Sequence, residues 1–197
     1  MSAEIEETCT LTPRVIGNEI LFFSDITEES ILDFLEAFKK LENETWEKYE
    51  TLKKYVDKKG SQGSKPCIKI TINSGGGDLF SGIAAMNIIE KSRVKVITEV
   101  QGSCCSAATF LLLAGHERRM GKDAFVLIHQ ITTGQFWGKF QELKAECDNC
   151  SKFMKRIETV YRKKTKIPDK LFKKMMKRDV FIDSTECIKH GIVHEIA

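Results

Sequence analysis

The chain has 197 residues, 42% of them hydrophobic and 30% charged, and a formal net charge of +3. These values describe one ordinary globular domain with a sizeable core. They argue against a protein built to hold nucleic acid or a membrane surface, which needs a larger basic excess. No apolar run approaches the ~20 residues of a membrane span.

The first ten residues, MSAEIEETCT, are acidic and polar, unlike a secretory signal. Seven cysteines without such a signal point to reduced thiols in a cytoplasmic protein. Residues 1–14 read as a flexible N-terminal segment and 15–197 as a single domain. VIGNEILFFSD (15–25) predicts a short strand. Thr27 is placed to cap a helix with Glu28 and Glu29 in its first turn. Ile31, Phe34, Leu35, Phe38 and Leu41 follow at helical spacing. The pattern thins through ENETWEKYETLKKYVDKK, and KKGSQGSKP is a polar loop. Residues 42–65 therefore read as a decorated connection outside the core.

Short alternations of strand and helix come next. CIKITI (67–72) is a strand, NSGGGD a tight turn and LFSGIAAMNIIEKS a helix. VKVITEV is a strand, GSCCS a turn and AATFLLLAG a buried helix ending at Gly115. ERRMGKDAFVLIHQ contains a loop and then a strand running into His129. Strands separated by single helices imply an α/β fold with mainly parallel pairing. A long amphipathic helix spans 138–164, with Phe140, Leu143, Cys147, Cys150, Met154, Ile157 and Tyr161 along one stripe. Pro168 opens a short helix; Asp183 or Ser184 caps the last one, Gly191 ends it, and a short strand follows. The late basic clusters RKKTK and KKMMKR lack interleaved aromatics and read as solvated helix faces. CDNC, with Cys147 and Cys150, lacks a second pair or a well-placed histidine, so no metal site is assigned.

Three features bear on chemistry. NSGGGD joins a strand to a helix, and its glycines permit positive φ and close approach of backbone to a ligand. A backbone N–H there can hold a developing oxyanion. A phosphate loop is disfavoured, since the Gly-Lys-Ser/Thr ending is absent. Ser106 precedes a buried helix, where free N–H groups and the positive dipole end gather. Alone it reads as a cap; with a base in reach it becomes a nucleophile. His129 ends the apolar strand AFVLIH and is the candidate base, while His116, His190 and His194 lie in less suitable settings. Asp179 in RDVF is either a surface charge or the carboxylate that orients His129.

The order of these segments resembles the Clp protease proteolytic subunit. INSGGG is similar to that family's Ile-Asn-Ser-Pro-Gly-Gly, and GSCCSAATFLLLAG to its nucleophile segment. LIHQ resembles its histidine motif, and KRDVFIDSTECIKHGIVHEI its aspartate and final segment. The resemblance implies a ClpP/crotonase-like ββα superhelix with a projecting long helix. It implies a serine endopeptidase with Ser106 as nucleophile, His129 as base and Asp179 as acid. Its oxyanion-hole amides fall on Gly77 and Ala107, and its peptide-binding positions on Gly76 and Gly134. It further implies a homo-oligomer, a heptameric ring or two stacked rings interlocked by the helix 138–164. Substrates are then unfolded proteins or peptides. The subunit itself needs no metal or cofactor, and ATP enters only through a partner Clp-type ATPase.

Departures are local. Gly75 stands in place of the family's proline, and Cys104 and Cys105 in place of alanine-like residues, where oxidation is expected to block the site. MSAEIEETCTLTPRV is unlike the family's gate-forming segment, which leaves ATPase docking open. Two other readings stand beside the first. A crotonase-like acyl-CoA enzyme uses the amide hole but gives Ser106, His129 and Asp179 no joint role. A proteolytically silent ring subunit commonly loses one of the three. A Ser-Lys dyad using Lys122 or Lys139 lacks a matching motif.

Overall fold

The computed structural model describes residues 13–56 and 66–197. Among them, eight strands form one sheet. β1 (Arg14–Ile16) and β2 (Glu19–Phe22) make an antiparallel hairpin, so the single strand expected at 15–25 is two. Gly17, at φ +61, begins the two-residue loop that reverses the chain. The expected segment 1–14 ends inside this hairpin, at Arg14; residues 1–12 lie outside the described residues.

Helix α1 (Glu28–Val56) starts where expected. Ser30 N–H donates to Thr27 Oγ1 and Thr27 N–H to Ser30 Oγ, both at 3.0 Å, which satisfies two free amides of the first turn. It then runs much farther than its apolar stripe predicts. Residues 42–56, read as a connection outside the core, continue the helix; 57–65 lie outside the described residues. The stripe is interrupted by Glu42, which is itself buried. Its carboxylate accepts from Arg93 N–H at 2.7 Å, Ser92 Oγ at 2.9 Å and Lys39 Nζ at 3.0 Å. A satisfied buried carboxylate thus sits where an apolar residue would have marked the period. One turn on, Trp46 packs against the core, with the Arg93 guanidinium 5.6 Å from its ring centroid.

The remaining strands and helices largely alternate. β3 (Cys67–Ser74) and β4 (Lys95–Cys105) are central, flanked by β2 and by β5 (Glu117–Met120), all parallel. β4 absorbs GSCC, which was expected as a turn. Its extra length serves two neighbours on one edge: Ile97–Val100 pair with β5, and Ser103–Cys105 pair with β6 (Phe125–Leu127). ERRM is accordingly strand rather than loop. β7 (Phe181–Ile182) joins β6 antiparallel, and β8 (Glu195–Ile196) joins β5 parallel.

Helices α2 (Leu79–Ile89) and α3 (Ala108–Ala114) pack on each other, and α3 packs on β3 and β4. Every residue of α3 is buried, as ATFLLLA predicts. The core joins Ile68, Ile70, Ile72, Val96 and Val100 of the sheet to Phe34 and Phe38 of α1 and to the leucines of α3. Helix α4 (Phe140–Lys164) is anchored only by its C-terminal half, where Ile157 and Tyr161 are buried. Its N-terminal end and the preceding loop carry exposed Phe136, Trp137, Phe140 and Leu143. Short α5 (Asp169–Met175) begins after Pro168, and α6 (Ser184–Lys189) is capped by Asp183, whose Oδ1 accepts from Glu186 N–H at 2.8 Å. Among the described residues no helix is long and apolar enough to cross a membrane.

Candidate active site

The site lies at the C-terminal edge of β4 and β6. Their parallel register sets Cys105 beside Leu127, so the next residues of each chain emerge together. Ser106 N–H donates to Leu127 O at 2.8 Å and fixes that junction. Ser106 has φ +51, alone among the described non-glycine residues in lying on the positive side. Such a conformation costs of order 1–3 kcal/mol and persists only where the surroundings enforce it. It turns the chain from strand into α3 within one residue and lifts the hydroxyl off the sheet edge.

The pedestal below is tied down through polar atoms. Thr109 Oγ1 donates to Ser106 O at 2.5 Å, and the buried Tyr161 hydroxyl bonds to Thr109 Oγ1. Thr109 has one proton and spends it on Ser106, so Tyr161 is the donor. Burial pushes the Tyr161 hydroxyl well above its usual range, which keeps it a donor. Helix α4 is thereby linked to Ser106 through one side chain.

His129 follows β6 and Asp179 precedes β7. Nδ1 of His129 lies 3.2 Å from Oδ1 of Asp179. The imidazole is 19% exposed and the carboxylate 68%. Ser106 and His129 line one cleft of about 270 Å³. No direct hydrogen bond joins the Ser106 hydroxyl to the imidazole, an arrangement common in ligand-free sites.

The glycine turn closes one wall. Gly76 and Gly77 have φ +97 and +141. A Cβ at Gly76 would sit 2.6 Å from Cys105 O and 2.8 Å from Ser106 Cβ; one at Gly77 would sit 2.2 Å from Ile26 O. Both positions therefore require glycine. Ile26 N–H donates to Gly76 O and Asp78 N–H to Ile26 O, each at 2.7 Å, which leaves the Gly77 amide between them. Among the described residues neither Gly77 N–H nor Ala107 N–H has a protein acceptor, and both residues line the cleft. Asp78 caps α2 by accepting from Ser81 N–H at 2.7 Å.

The structure thus brings together Ser106, His129, Asp179, Gly77 and Ala107. Gly76 packs behind Ser106 rather than lining the cleft. Gly134 lies on the loop after His129, outside any strand, and a Cβ there would meet nothing within 4 Å. Thr132 and Thr133 of that loop line the cleft instead. Sequence reasoning also passed over Phe80, Glu146 and Phe153. Phe80 and Phe153 meet edge to face at 5.2 Å across α2 and α4, a contact that no periodicity within either helix encodes. Cys104 and Cys105 are buried, their thiols pushed up by burial, so neither is the accessible thiol that its place beside Ser106 implied. Among the described residues no group of three or more His, Cys, Asp or Glu could hold a metal ion.

The sequence profile of the Clp protease family matches residues 41–197. The ATP-dependent Clp protease proteolytic subunit of Deinococcus radiodurans is 28% identical over 138 residues, 69% of this chain and 67% of that one. The protein of the same name from Lobularia maritima is 34% identical over 128 residues, 64% and 65% of the two chains. That from Cuscuta reflexa is 32% identical over 136 residues, 68% of each. The matches thus span about two thirds of these relatives' length. A mutant ClpP1 from Listeria monocytogenes shares the fold, with a TM-score of 0.73 over 91% of both chains at 22% identity. Since the matched region holds the glycine turn, the Ser106 segment, the His129 strand and the closing Asp179 segment, the chain belongs to the Clp protease family of serine endopeptidases.

Proposed function

We propose that this chain hydrolyses peptide bonds of unfolded proteins or peptides by a Ser-His-Asp acyl-enzyme mechanism, inside a ring-shaped homo-oligomer in the cytoplasm. The observation that carries the reading is His129, which shares a cleft with Ser106 while its Nδ1 lies 3.2 Å from Asp179.

Ser106 Oγ attacks the scissile carbonyl as His129 Nε2 takes its proton. Asp179 keeps the Nδ1 proton in place and stabilises the imidazolium. The tetrahedral oxyanion rests on the free N–H groups of Gly77 and Ala107; loss of one such donor costs about 3–4 kcal/mol of barrier in known cases. The imidazolium returns its proton to the leaving amine, and water then hydrolyses the acyl-enzyme by the same route. None of these steps draws on a cofactor; ATP belongs to a partner unfoldase. The exposed Phe136, Trp137, Phe140 and Leu143 support assembly through the projecting end of α4, since an isolated subunit leaves them in water.

The alternatives explain less. A crotonase-like enzyme accounts for the amides but not for the contact of His129 with Asp179, and a silent subunit has no need of Ser106 held at positive φ. Labelling with a fluorophosphonate, read by intact mass, tests the reading. Stoichiometric modification that is lost in Ser106→Ala and His129→Ala is expected. A folded, ring-forming wild type that takes no label would move the silent subunit ahead.

A further inference from the structure

Part of the cleft beside Ser106 is apolar, lined by Phe80, Ile131, Phe153 and Ile157. Glu146 on α4 also lines the cleft, and its Oε1 accepts from the Cys150 thiol one turn on at 3.8 Å. That bond aims the carboxylate along the helix toward Cys150, which lines the same cleft. Among the described residues no lysine, arginine or histidine forms an ion pair with Glu146, although nine other acidic residues do find such partners. The other carboxylate on the lining, Asp78, is committed to the cap of α2. Apolar side chains beside one carboxylate without an ion-pair partner match a long aliphatic stem with a cationic end.

We propose that Glu146 is a specificity-determining residue, giving the cleft a preference for lysine or arginine at the residue whose carbonyl Ser106 attacks. This rests on the peptidase reading above. The stem lies along the touching rings of Phe80 and Phe153, and the cationic head meets the partly exposed Glu146.

The test uses two peptidyl phosphonate esters that differ only in norleucine against lysine at that residue, near-isosteres apart from the charge. Each forms a phosphorus–oxygen bond to an activated serine and releases its phenol, so intact mass gives the labelling rate without turnover. The ratio of lysine to norleucine rates is expected to fall about fivefold in Glu146→Gln, the scale of a partly solvated ion pair. It should fall further in Glu146→Lys and shrink with added salt in the wild type. Wild-type and Glu146→Gln proteins that label at the same ratio overturn this inference alone. A wild type that reacts with neither probe overturns the peptidase reading, and this inference with it.

Discussion

His129 meets Asp179 because β6 and β7 run antiparallel in a register that pairs Leu127 with Phe181. Continuing that pairing two residues past Leu127 and two before Phe181 sets the imidazole opposite the carboxylate, Nδ1 to Oδ1 at 3.2 Å. Both lie on one face, and a slip of one residue would turn either side chain away. With Asp179→Asn, kcat is expected to fall about a hundredfold while KM changes little, because the wrong imidazole tautomer is then favoured. The loss should be smaller than at a buried triad acid, since Asp179 is well exposed and water partly replaces it. Steady-state kinetics on a fluorogenic peptide decide this; an unchanged kcat would mean that the contact is a surface ion pair.

Gly76 supports Ser106 from behind. Gly76→Ala places a methyl against Cys105 O and Ser106 Cβ and holds alanine at φ +97. A stability loss of about 1–3 kcal/mol is expected, with a fall in fluorophosphonate labelling greater than that in folded protein. Denaturant unfolding and labelling on the same sample separate the two effects.

Glu42 makes the fold acid-sensitive. Burial raises its pKa, but hydrogen bonds from the Arg93 backbone N–H, Lys39 and Ser92 outweigh that, and the folded-state pKa is lowered from 4.5. A lowered folded pKa adds stability above the unfolded value, and that stability is lost as pH drops through the folded one. Glu42→Gln should cost about 1–3 kcal/mol near neutral pH. The difference from wild type should shrink below pH 4.5, as chemical denaturation across pH would show.

Thiol chemistry should spare the two cysteines that precede Ser106. Burial pushes the Cys104 thiol well up and that of Cys187 to about 12, and Cys105 is raised too. Mild peroxide or iodoacetamide is therefore expected to modify exposed Cys147 well before Cys104 or Cys105, with peptidase activity retained. Peptide mapping against time checks the order; early loss of the Cys104–Cys105 peptide would contradict it.

The end of α4 bears on assembly. Trp137 and Phe140 are 88% and 73% exposed in the isolated chain. Replacing Phe140 by Glu should lower the sedimenting mass of the proposed ring, since a charge there opposes burial against a second copy. An unchanged sedimentation profile would place the contact elsewhere.

Local pattern made much of this molecule legible. The glycine turn, the buried helix after Ser106, the long stripe of α4 and the caps at Thr27 and Asp183 each follow from short-range sterics or hydrogen bonding, which neighbouring residues carry. Positions whose meaning is set at a distance were not legible. Residues 42–56 hid as a connection because the partners of Glu42 lie some fifty residues away, at Ser92 and Arg93. GSCC looked like a turn because nothing in it announces that β4 must stay extended to pair with β6 as well as β5.

By itself the sequence determined which residue types stand at which junctions: a serine at the mouth of a buried helix, a histidine ending a strand, glycines where no Cβ fits. Only the tertiary structure decided how they meet. Pairing register across β4, β6 and β7 brought Ser106, His129 and Asp179 to one edge, and the packing of α4 against α2 closed the cleft with Phe80, Phe153 and Glu146. Register and packing arise from contacts between segments far apart in the chain, so no local period or propensity contains them.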